Sequence, residues 1–375
     1  MVPISFGGSQ PPIGLDIDAD FIRAVRVKSA ASGIQLLDYE TMPVPFGSVV
    51  EGEIVDPEAV SSALRELWKR SGFRTKDVSI GVSNQKVVVR LIDLPYMERN
   101  ELAGAMQYQA QDYIPIPVDE AIVDFQVIGD YMTPSDEHMM EVLLVAAQRD
   151  MIETGVSAIE GAGLKPSQVD VTAFALVRAL LGNDPIFFAD AFESSTVALG
   201  IVHVTSSLTN IAVVERGIPR FTRVSSLAGN QLTQAVANVL NITFADAEKV
   251  KHEAGLPALD ELVIAPTTED AQRLQTARDA LEREAMKFVA EVRRSLDYYL
   301  TQTTQVRSVK RIYLTGSGAN LQNFSDYLSK GLQTEVVIGD PLAHVSTVGG
   351  AVDAAVKADI MGCAPAIGLA LGGVW

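Results

Sequence analysis

The chain has 375 residues, 47% of them hydrophobic and 21% charged, so it can form a folded protein of two or three domains. Its formal net charge of −17 argues against a surface that binds nucleic acid or an anionic membrane directly. The one cysteine, Cys363, excludes an intrachain disulfide framework and a thiolate metal cluster, which fits a reducing compartment.

The two ends of the sequence carry no targeting or membrane-spanning signal. Residues 1–12 contain Gly, Pro and Ser and are predicted to form a flexible leader, without the basic and apolar segments of a signal peptide. The longest uncharged stretch, IMGCAPAIGLALGGVW, falls short of the roughly 20 residues that span a bilayer. It is predicted to be a buried terminal segment, so a connection to the membrane must come through a partner.

The segment before residue 84 has the element order of a layered α/β domain. IGLDID, FIRAVRV and IQLLDYETMPV are apolar runs separated by short polar turns, which predicts three antiparallel strands. A helix follows, because Asp56 can cap its start, Pro57 suits its first turn and Gly72 can end it. VSIGV at 78–82 then gives the order β-β-β-α-β.

The next segment, 84–165, has the pattern of a smaller α+β insertion. KVVVRLIDLP, AIVDFQVIGD and MMEVLLVAAQ are predicted strands, and YMTPSDEH is predicted to form a loop. A helix is predicted near 98–112, and the PIP sequence at 115–117 ends it.

The opening pattern returns in the second half of the chain. VHVTSSLTNIAVV at 202–214 repeats LDIDADFIRAVRV at 15–27 with an offset of 187 residues. In both copies a third strand and a helix follow, the second helix running from Asn230 to Leu240. Two related halves are one interpretation, and a chance likeness of two antiparallel hairpins is the other.

Helices dominate the remainder. The segment 271–303 has apolar residues at intervals of three and four, which predicts one long amphipathic helix. RIYLTGSGANLQNFSDYL predicts a strand, a glycine-rich turn and a helix opened by that turn, EVVIGDPL predicts a strand, and a last helix starts near Val348.

Four elements can be assembled into a nucleotide site: the two hairpin turns, a helix with Glu248 and Lys251, and the GSGA turn at 316–319. The hairpins could hold a triphosphate from both sides, and a bare glycine turn lets a base lie against backbone. Glu248 and Lys251 share one helix face and could bond both ribose hydroxyls. Alone, each piece has a plainer interpretation: ordinary turn chemistry for the glycines and a solvated ion pair for the helix.

Together these pieces resemble the actin-like ATPase superfamily of actin, Hsp70, sugar kinases and FtsA. They are most similar to the PilM family, cytoplasmic scaffolds of type IV pilus assembly, from about Ile13 to Leu371. The most specific segments are ELAGAMQYQAQDYIPIPVDEAIVDFQVIG, ERGIPRFTRVSSLAGNQLTQAVA and IYLTGSGANLQNFSDYLSKGL. The resemblance implies an α/β, actin-like (ribonuclease H-like) two-lobed fold with an FtsA/PilM-type insertion subdomain.

The domain boundaries that the resemblance implies follow the changes of pattern. They are a leader at 1–12, a first lobe (1A) at 13–83, 166–184 and 345–375, an insertion (1C-like) at 84–165, a second lobe core (2A) at 185–240 and 304–344, and a helical subdomain (2B) at 241–303.

The resemblance also implies which residues would bind ATP or ADP with magnesium. Asp16 matches the acid that helps to place magnesium through water, and no other metal ligand or catalytic residue is predicted. The four histidines lack metal-ligand spacing and no P-loop motif occurs. The predicted nucleotide-binding residues are Asp16, Thr209, Asn210, Glu248, Lys251, Gly316, Ser317, Gly318 and Ala319.

Both phosphate loops depart from the family pattern. The first loop has Asp18 where the family has glycine and Asp20 at a hydroxyl position, and the second has His203 in place of its acid. A carboxylate within about 4 Å of a phosphate oxygen repels it by roughly 4 kcal/mol at an effective dielectric near 20, unless a cation bridges the two. We therefore expect no efficient ATP hydrolysis, and nucleotide binding that is weak, altered or absent.

The expected function is a non-enzymatic scaffold, cytoplasmic and peripheral to the inner membrane. The resemblance implies that it binds the N-terminal peptide of a PilN-like membrane protein, within about residues 84–170, and reaches the pilus assembly motor indirectly. Two alternatives stay open: an active actin-like ATPase or kinase that uses Mg-ATP for cleft closure, and an FtsA-like filament-forming division protein. The FtsA-like alternative is disfavoured, because the sequence shows no C-terminal amphipathic membrane helix after its last glycines.

Overall fold

The computed structural model describes residues 11–31, 33–182, 197–258, 267–302, 306 and 308–372. The predicted leader falls outside the described residues as far as residue 10, and the predicted end of the long helix at Thr303 also lies outside them. The strands are β1 (Ile13–Ile17), β2 (Phe21–Ala30), β3 (Gly33–Pro43), β4 (Val49–Val50), β5 (Glu53–Ile54), β6 (Asp77–Val82), β7 (Val87–Pro95), β8 (Ala121–Met132), β9 (His138–Gln148), β10 (Lys165–Val171), β11 (Val197–Val204), β12 (Thr209–Glu215), β13 (Ile218–Ser225), β14 (Ser308–Thr315), β15 (Glu335–Ile338) and β16 (Val345–Thr347). The α-helices are α1 (Pro57–Ser71), α2 (Arg99–Gln109), α3 (Arg149–Gly161), α4 (Thr172–Leu181), α5 (Gly229–Leu240), α6 (Phe244–Ala254), α7 (Glu269–Gln302), α8 (Phe324–Leu332), α9 (Gly350–Ala358) and α10 (Ala364–Leu371).

Two large sheets share one arrangement of four strands. The six-stranded sheet has the order β10-β6-β1-β2-β3-β16, and the five-stranded sheet has the order β13-β12-β11-β14-β15. In the first, β1 pairs antiparallel with β2 and parallel with β6; in the second, β11 pairs antiparallel with β12 and parallel with β14. The predicted internal repeat is therefore confirmed by the strand pairing.

The two hairpins also agree in register. Ile17 lies opposite Ile22 in the first hairpin, and Val204 lies opposite Thr209 in the second, at the predicted offset of 187 residues. Chance likeness of two hairpins does not require the same neighbours on both sides, so related halves are the better interpretation.

The core between the two sheets is formed by α4 and α10. Leu176 of α4 and Ile367 of α10 are fully buried in a cluster that includes Val25 of the first sheet and Ala212 of the second. The helices touch at Gly368, where an added Cβ would lie 1.8 Å from the carbonyl oxygen of Ala175. The predicted burial of the uncharged terminal stretch, 360–375, is confirmed for residues 361–371, which include all of α10, while residues 373–375 lie outside the described residues.

Local signals set the ends of α1 as predicted. Asp56 accepts a hydrogen bond from the backbone N–H of Ala59 at 3.0 Å, Pro57 occupies the first turn, and Gly72 ends the helix with φ 68°. The helix buries Val60 and Leu64 against the first sheet.

The segment predicted as an insertion forms a three-stranded antiparallel sheet with the order β7-β9-β8. Its own core joins α2 to this sheet through Leu102, Met106, Val142 and Leu144. Helix α3 lies in the same range, but it packs on α1 of the first lobe.

The loop predicted at 131–138 is shorter than expected. Strand β8 continues to Met132, which pairs with His138 at the start of β9, so the prediction is wrong at its ends. A tight turn with Asp136 at φ 65° closes the hairpin, since the N–H of Thr133 donates to the carbonyl of Glu137 at 2.9 Å.

Helices cover the outer face of the second sheet. The predicted apolar stripe of α7 is confirmed, and it packs with α5, α6 and α8 on this sheet. Its buried members include Ala277, Leu281, Ala285, Phe288, Val292, Leu296 and Tyr299. Among the residues described, no helix is both long and apolar enough to cross a bilayer.

Candidate functional site

The tip of the first hairpin is closed by the side chain of Asp18. Its Oδ1 accepts hydrogen bonds from the backbone N–H groups of Asp20 and Phe21, each at 2.7 Å. Its own N–H donates to the carbonyl of Phe21 at 3.0 Å. These are the kinds of N–H groups that a phosphate loop presents to a ligand, and here a carboxylate of the loop already accepts them.

A buried guanidinium compensates the acids at this tip. Arg23 Nη1 lies 2.5 Å from Asp18 Oδ2 and 3.8 Å from Asp16 Oδ2, and Arg23 Nε lies 2.6 Å from Asp359 Oδ2. The Arg23 side chain is 2% exposed, so these carboxylates are its main source of stabilisation. Tyr39 donates its hydroxyl proton to Asp359 at 2.5 Å. Three carboxylates, those of Asp16, Asp18 and Asp359, thus share the single positive charge of Arg23.

The pKa values at the first hairpin depend on burial and crowding. Burial raises the pKa of Asp16 to about 7, the Asp18 carboxylate adds to the rise, and Arg23 opposes it. Burial also raises the pKa of Asp20. A carboxyl group that is partly protonated at neutral pH is a weaker magnesium ligand than a fully ionised one.

The second hairpin has a comparable closed turn. Thr205 Oγ1 accepts from the N–H groups of Ser207 and Leu208, at 3.3 and 3.1 Å. His203 stands in the strand before this turn, where the family has an acid, and it is 3% exposed. Burial lowers its pKa to about 4, so the imidazole is neutral at pH 7. Its Nδ1 has no hydrogen-bond partner among the residues that the structure describes.

The predicted residues Thr209 and Asn210 point to different neighbours. Thr209 Oγ1 donates to the carbonyl of Leu227 at 2.8 Å, which anchors the chain before α5. Asn210 Oδ1 accepts from Ser83 Oγ at 2.6 Å, which connects the end of β6 in the first sheet to the second sheet. Only Asn210 therefore reaches the space between the hairpins.

The space between the two hairpin tips is small. Its volume is about 40 Å³, which is room for about three water molecules. Nucleotide-sized ligands occupy pockets of roughly 300–1,000 Å³. The wall includes Asp16, Asp18, Ser83, His203, Thr205 and Asn210.

The start of α5 is capped by the second hairpin. The N–H of Gly229 donates to the carbonyl of Thr205 at 3.0 Å, and the N–H of Asn230 donates to the carbonyl of Ser206 at 2.7 Å. These two N–H groups would otherwise be available to an anion at the helix N-terminus.

Glu248 and Lys251 form one cluster with a residue of α5. Lys251 Nζ lies 2.7 Å from Glu248 Oε1 and donates to Thr233 Oγ1 at 3.0 Å, while Thr233 donates to Glu248 Oε2 at 2.5 Å. Burial alone would raise the pKa of Glu248, but hydrogen bonds from His252, Lys251 and Thr233 outweigh it and lower the pKa to about 2. Both predicted ribose-binding side chains are thus hydrogen-bonded within the protein.

The GSGA turn packs on the second hairpin. Gly316 has φ 97°, and an added Cβ would lie 2.1 Å from the carbonyl oxygen of Val204. The prediction that this turn opens an α-helix is wrong, because Ser317–Asn320 form a 3-10 helix and α8 begins at Phe324. The turn lacks the repeated backbone bonds that would align a helix dipole on a ligand at this point.

Sequence analysis missed Arg23, Asp359 and Thr233. The hairpin register places Arg23 directly opposite Asp16, so a cation facing an acid across two predicted strands was a usable signal. Asp359 lies far away in the sequence, and no local pattern links it to the hairpin. In the described part of the chain, no group of three or more His, Cys, Asp or Glu side chains is arranged to hold a metal ion.

The two lobes, the paired hairpins and the cleft between them define the fold of the actin-like ATPase superfamily. The chain matches the family described as type IV pilus assembly protein PilM over residues 14–374, and it belongs to that family.

Solved structures agree with this fold. The chain is similar to the PilM-PilN type IV pilus biogenesis complex, with 24% identity, a TM-score of 0.78, and coverage of 97% of this chain and 99% of that chain. It also resembles MreB5 of Spiroplasma citri bound to AMPPNP, with 13% identity, a TM-score of 0.51, and coverage of 89% of this chain and 92% of that chain.

Among curated relatives, the chain is similar to the cell division protein FtsA of Escherichia coli strain K12. The two are 27% identical over 217 residues, which are 54% of this chain and 49% of FtsA. The chain therefore spans about half the length of the curated relatives that it matches.

Proposed function

We propose that this chain is a non-enzymatic scaffold of the type IV pilus inner-membrane assembly complex. It binds the N-terminal peptide of a PilN-like membrane protein and is connected through it to the assembly motor. It acts at the cytoplasmic face of the inner membrane, which it reaches through this partner and not by itself.

The observation that carries the absence of ATP hydrolysis is the hydrogen bonding of Asp18. In a working phosphate loop the tip N–H groups are free for the ligand, whereas Asp20 and Phe21 here donate theirs to the Asp18 carboxylate. A triphosphate would have to displace this carboxylate and separate it from Arg23, 2.5 Å away. The Asp18 carboxylate accepts the backbone hydrogen bonds that a phosphate oxygen would otherwise accept, so Mg-ATP does not fit this arrangement of residues.

Two further features support weak or absent nucleotide binding. The cavity between the hairpin tips, where the phosphates would lie, has a volume of about 40 Å³ and holds only about three water molecules, so a triphosphate would require the lobes to move apart. Glu248 and Lys251, the residues predicted to bind ribose, lie 2.7 Å apart and both bond to Thr233, so a ribose would have to replace these bonds. We assign no catalytic role to any residue and derive no reaction step.

Membership of the PilM family and the likeness to the PilM-PilN complex support the choice of partner. We propose that the site for the PilN-like peptide lies within about residues 84–170, beside the three-stranded sheet. A peptide seated there needs no nucleotide between the lobes, so the partner should bind equally with and without ATP.

Calorimetric titration tests both halves of the proposal. A synthetic peptide with the first residues of the PilN-like protein is titrated into the full chain, with and without millimolar Mg-ATP. We expect the same affinity in both titrations. No heat of binding in either titration would reject the scaffold function.

Thermal unfolding with Mg-ATP separates the scaffold from an active ATPase. A ligand at 100 times its dissociation constant adds about 2.7 kcal/mol of stability, so an ATPase should show a clear rise in melting temperature. We expect no measurable rise. A rise accompanied by phosphate release would favour the ATPase or kinase instead, and sedimentation of polymers would favour the FtsA-like filament former.

A further inference from the structure

A groove separates the edge of the three-stranded sheet from the edge of the second large sheet. We call it the inter-sheet groove. It has a volume of about 640 Å³, enough for several residues of an extended peptide. Its lining includes Val88, Arg90, Pro115, Phe221, Arg223 and Tyr298.

Both long sides of the groove are outer strands. Strand β7 is one of the two outer strands of the order β7-β9-β8, and β13 is one of the two outer strands of the order β13-β12-β11-β14-β15. No backbone hydrogen bond from another described element reaches the outer edge of β13. An outer strand with unpaired N–H and C=O groups is a template for another extended chain.

The two sides of the groove are joined at one end. Arg220 of β13 lies 2.5 Å from Glu141 of β9, and this ion pair links the three-stranded sheet to the second lobe. Strands β7 and β13 also contact each other. The groove is therefore a formed feature of the packed sheets, and binding does not require the lobes to separate.

The charge in the groove favours an acidic occupant. Arg223 lies 2.8 Å from Glu291 and is compensated. Arg90 donates to the carbonyl of Val89 at 3.3 Å, and in the described part of the chain it makes no ion pair. The Arg90 side chain is exposed, so it presents a positive charge to the groove in a protein with a net charge of −17.

Aromatic side chains supply apolar contact beside this charge. Tyr298 of α7 is 52% exposed, and its ring lies 5.9 Å from the ring of Phe221 on β13. Phe221 is half-buried against the core of the second lobe, so the exposed Tyr298 ring offers most of the apolar contact for an added strand.

We propose that the inter-sheet groove binds an extended, acidic segment of a partner protein. The segment adds to β13 as an antiparallel or parallel strand, rests apolar side chains on Phe221 and Tyr298, and places one carboxylate on Arg90. The outer edge of β13 is favoured over that of β7, because Arg90 already occupies the Val89 carbonyl. Arg90 lies within residues 84–170, the range proposed for the PilN-like peptide, whereas β13 lies outside it. Strand addition at β13 therefore distinguishes this site from the peptide site of the proposed function.

A library of random linear nonapeptides on phage tests the proposal with the full chain as bait. The dominant peptides are synthesised, and their dissociation constants are measured by fluorescence anisotropy. We expect peptides with an acidic residue inside an apolar run, and binding at least about ten-fold weaker to the Arg90→Glu variant. A peptide with Lys in place of its acid should bind Arg90→Glu better than wild type.

Matched variants control for charge and for loss of an aromatic ring. Arg99→Glu is the control for Arg90→Glu: it changes the net charge equally, but Arg99 lies outside the groove, at the start of α2. Tyr108→Ala is the control for Tyr298→Ala: it removes a ring that is 81% exposed and also lies on α2, outside the groove. Both should bind the selected peptides as wild type does, whereas Tyr298→Ala should bind them more weakly.

Hydrogen exchange gives a second measurement that needs no variant. A selected peptide should slow the exchange of outer-edge amide protons of β13, as an added strand does. The proposal is overturned if the library yields no peptide sensitive to Arg90→Glu, or if bound peptides leave the exchange of β13 unchanged. Either result is independent of whether the PilN-like peptide binds.

Discussion

Replacing Asp18 with glycine removes the carboxylate that closes the first hairpin. The variant loses two hydrogen bonds from the N–H groups of Asp20 and Phe21, each 2.7 Å long, and an ion pair with Arg23 at 2.5 Å. The tip is exposed, so water replaces the lost acceptor, and each hydrogen bond contributes only about 0.5–1.5 kcal/mol.

The ion pair adds a smaller loss than a fully buried pair would. Breaking such a pair costs about 3–5 kcal/mol when the remaining charge is left uncompensated. Arg23 keeps Asp359 at 2.6 Å, so we expect less than this. In total we expect Asp18→Gly to lower the free energy of unfolding by about 2–4 kcal/mol.

Urea unfolding measures this loss against two companion variants. Asp20→Gly makes the same chemical change two residues further on, where no backbone N–H donates to the carboxylate, and should cost less than about 1 kcal/mol. Asp18→Asn keeps an acceptor oxygen but loses the charge, so its cost should be intermediate. Equal losses for Asp18→Gly and Asp20→Gly would refute the role of Asp18 as the internal ligand of the loop.

The same variant should respond to anions. With Asp18 gone, the N–H groups of the tip and the Arg23 guanidinium are available to a phosphate oxygen. Millimolar inorganic phosphate should therefore stabilise Asp18→Gly more than wild type. An identical response of both proteins would show that the hairpin shape, and not its carboxylate, excludes phosphate.

The remaining predictions concern pH and the turn at Gly316. Asp16 has a raised pKa of about 7, so its contribution to stability is present at low pH and is lost as pH rises towards 7, whereas His203, with a pKa lowered to about 4, loses stability as pH falls below 6.5. Between pH 4.5 and 6.5 the two contributions are about 2 kcal/mol each and opposite in sign, so they nearly cancel in the wild type. In Asp16→Asn only the His203 contribution remains, so the free energy of unfolding of this variant should rise by about 2 kcal/mol from about pH 4.5 to 6.5. A flat pH profile of urea unfolding for the variant would contradict this. Gly316→Ala should cost about 3 kcal/mol or more, because its Cβ would meet the Val204 carbonyl at 2.1 Å, while Gly72→Ala, with φ 68° and open space around it, should cost about 1 kcal/mol in the same assay. Similar costs for both glycine variants would mean that backbone strain alone explains Gly316.

Local patterns predicted most of the fold because both halves of the chain repeat the same order of strands, turns and helix, which short stretches of sequence determine. The alternation of apolar residues around Ile17 and Val204 determined both hairpins, and the pairing at an offset of 187 residues follows from it. Capping signals at Asp56 and Gly72 similarly placed α1.

The candidate site was less predictable because its main interactions are long-range or involve side-chain orientation. The carboxylates at the first hairpin tip were identified as groups that repel phosphate. No sequence pattern indicated that the Asp18 side chain accepts hydrogen bonds from the backbone N–H groups of Asp20 and Phe21. Asp359 joins Arg23 across 336 positions of the chain, a pairing set by tertiary packing. The helix expected after Gly316 failed because Ser317–Asn320 can satisfy a single 3-10 turn and stop.

The position of α10 has a consequence for the order of folding during synthesis. This helix contacts β1, β2 and α4, so the interior of the first lobe joins residues 13–30 to residues 364–371, which are synthesised much later. Contacts so distant in sequence form slowly, because the intervening loop must close first. The second lobe, whose sheet and helices lie within 197–338, can mature on the ribosome while the first lobe still lacks its inner helix.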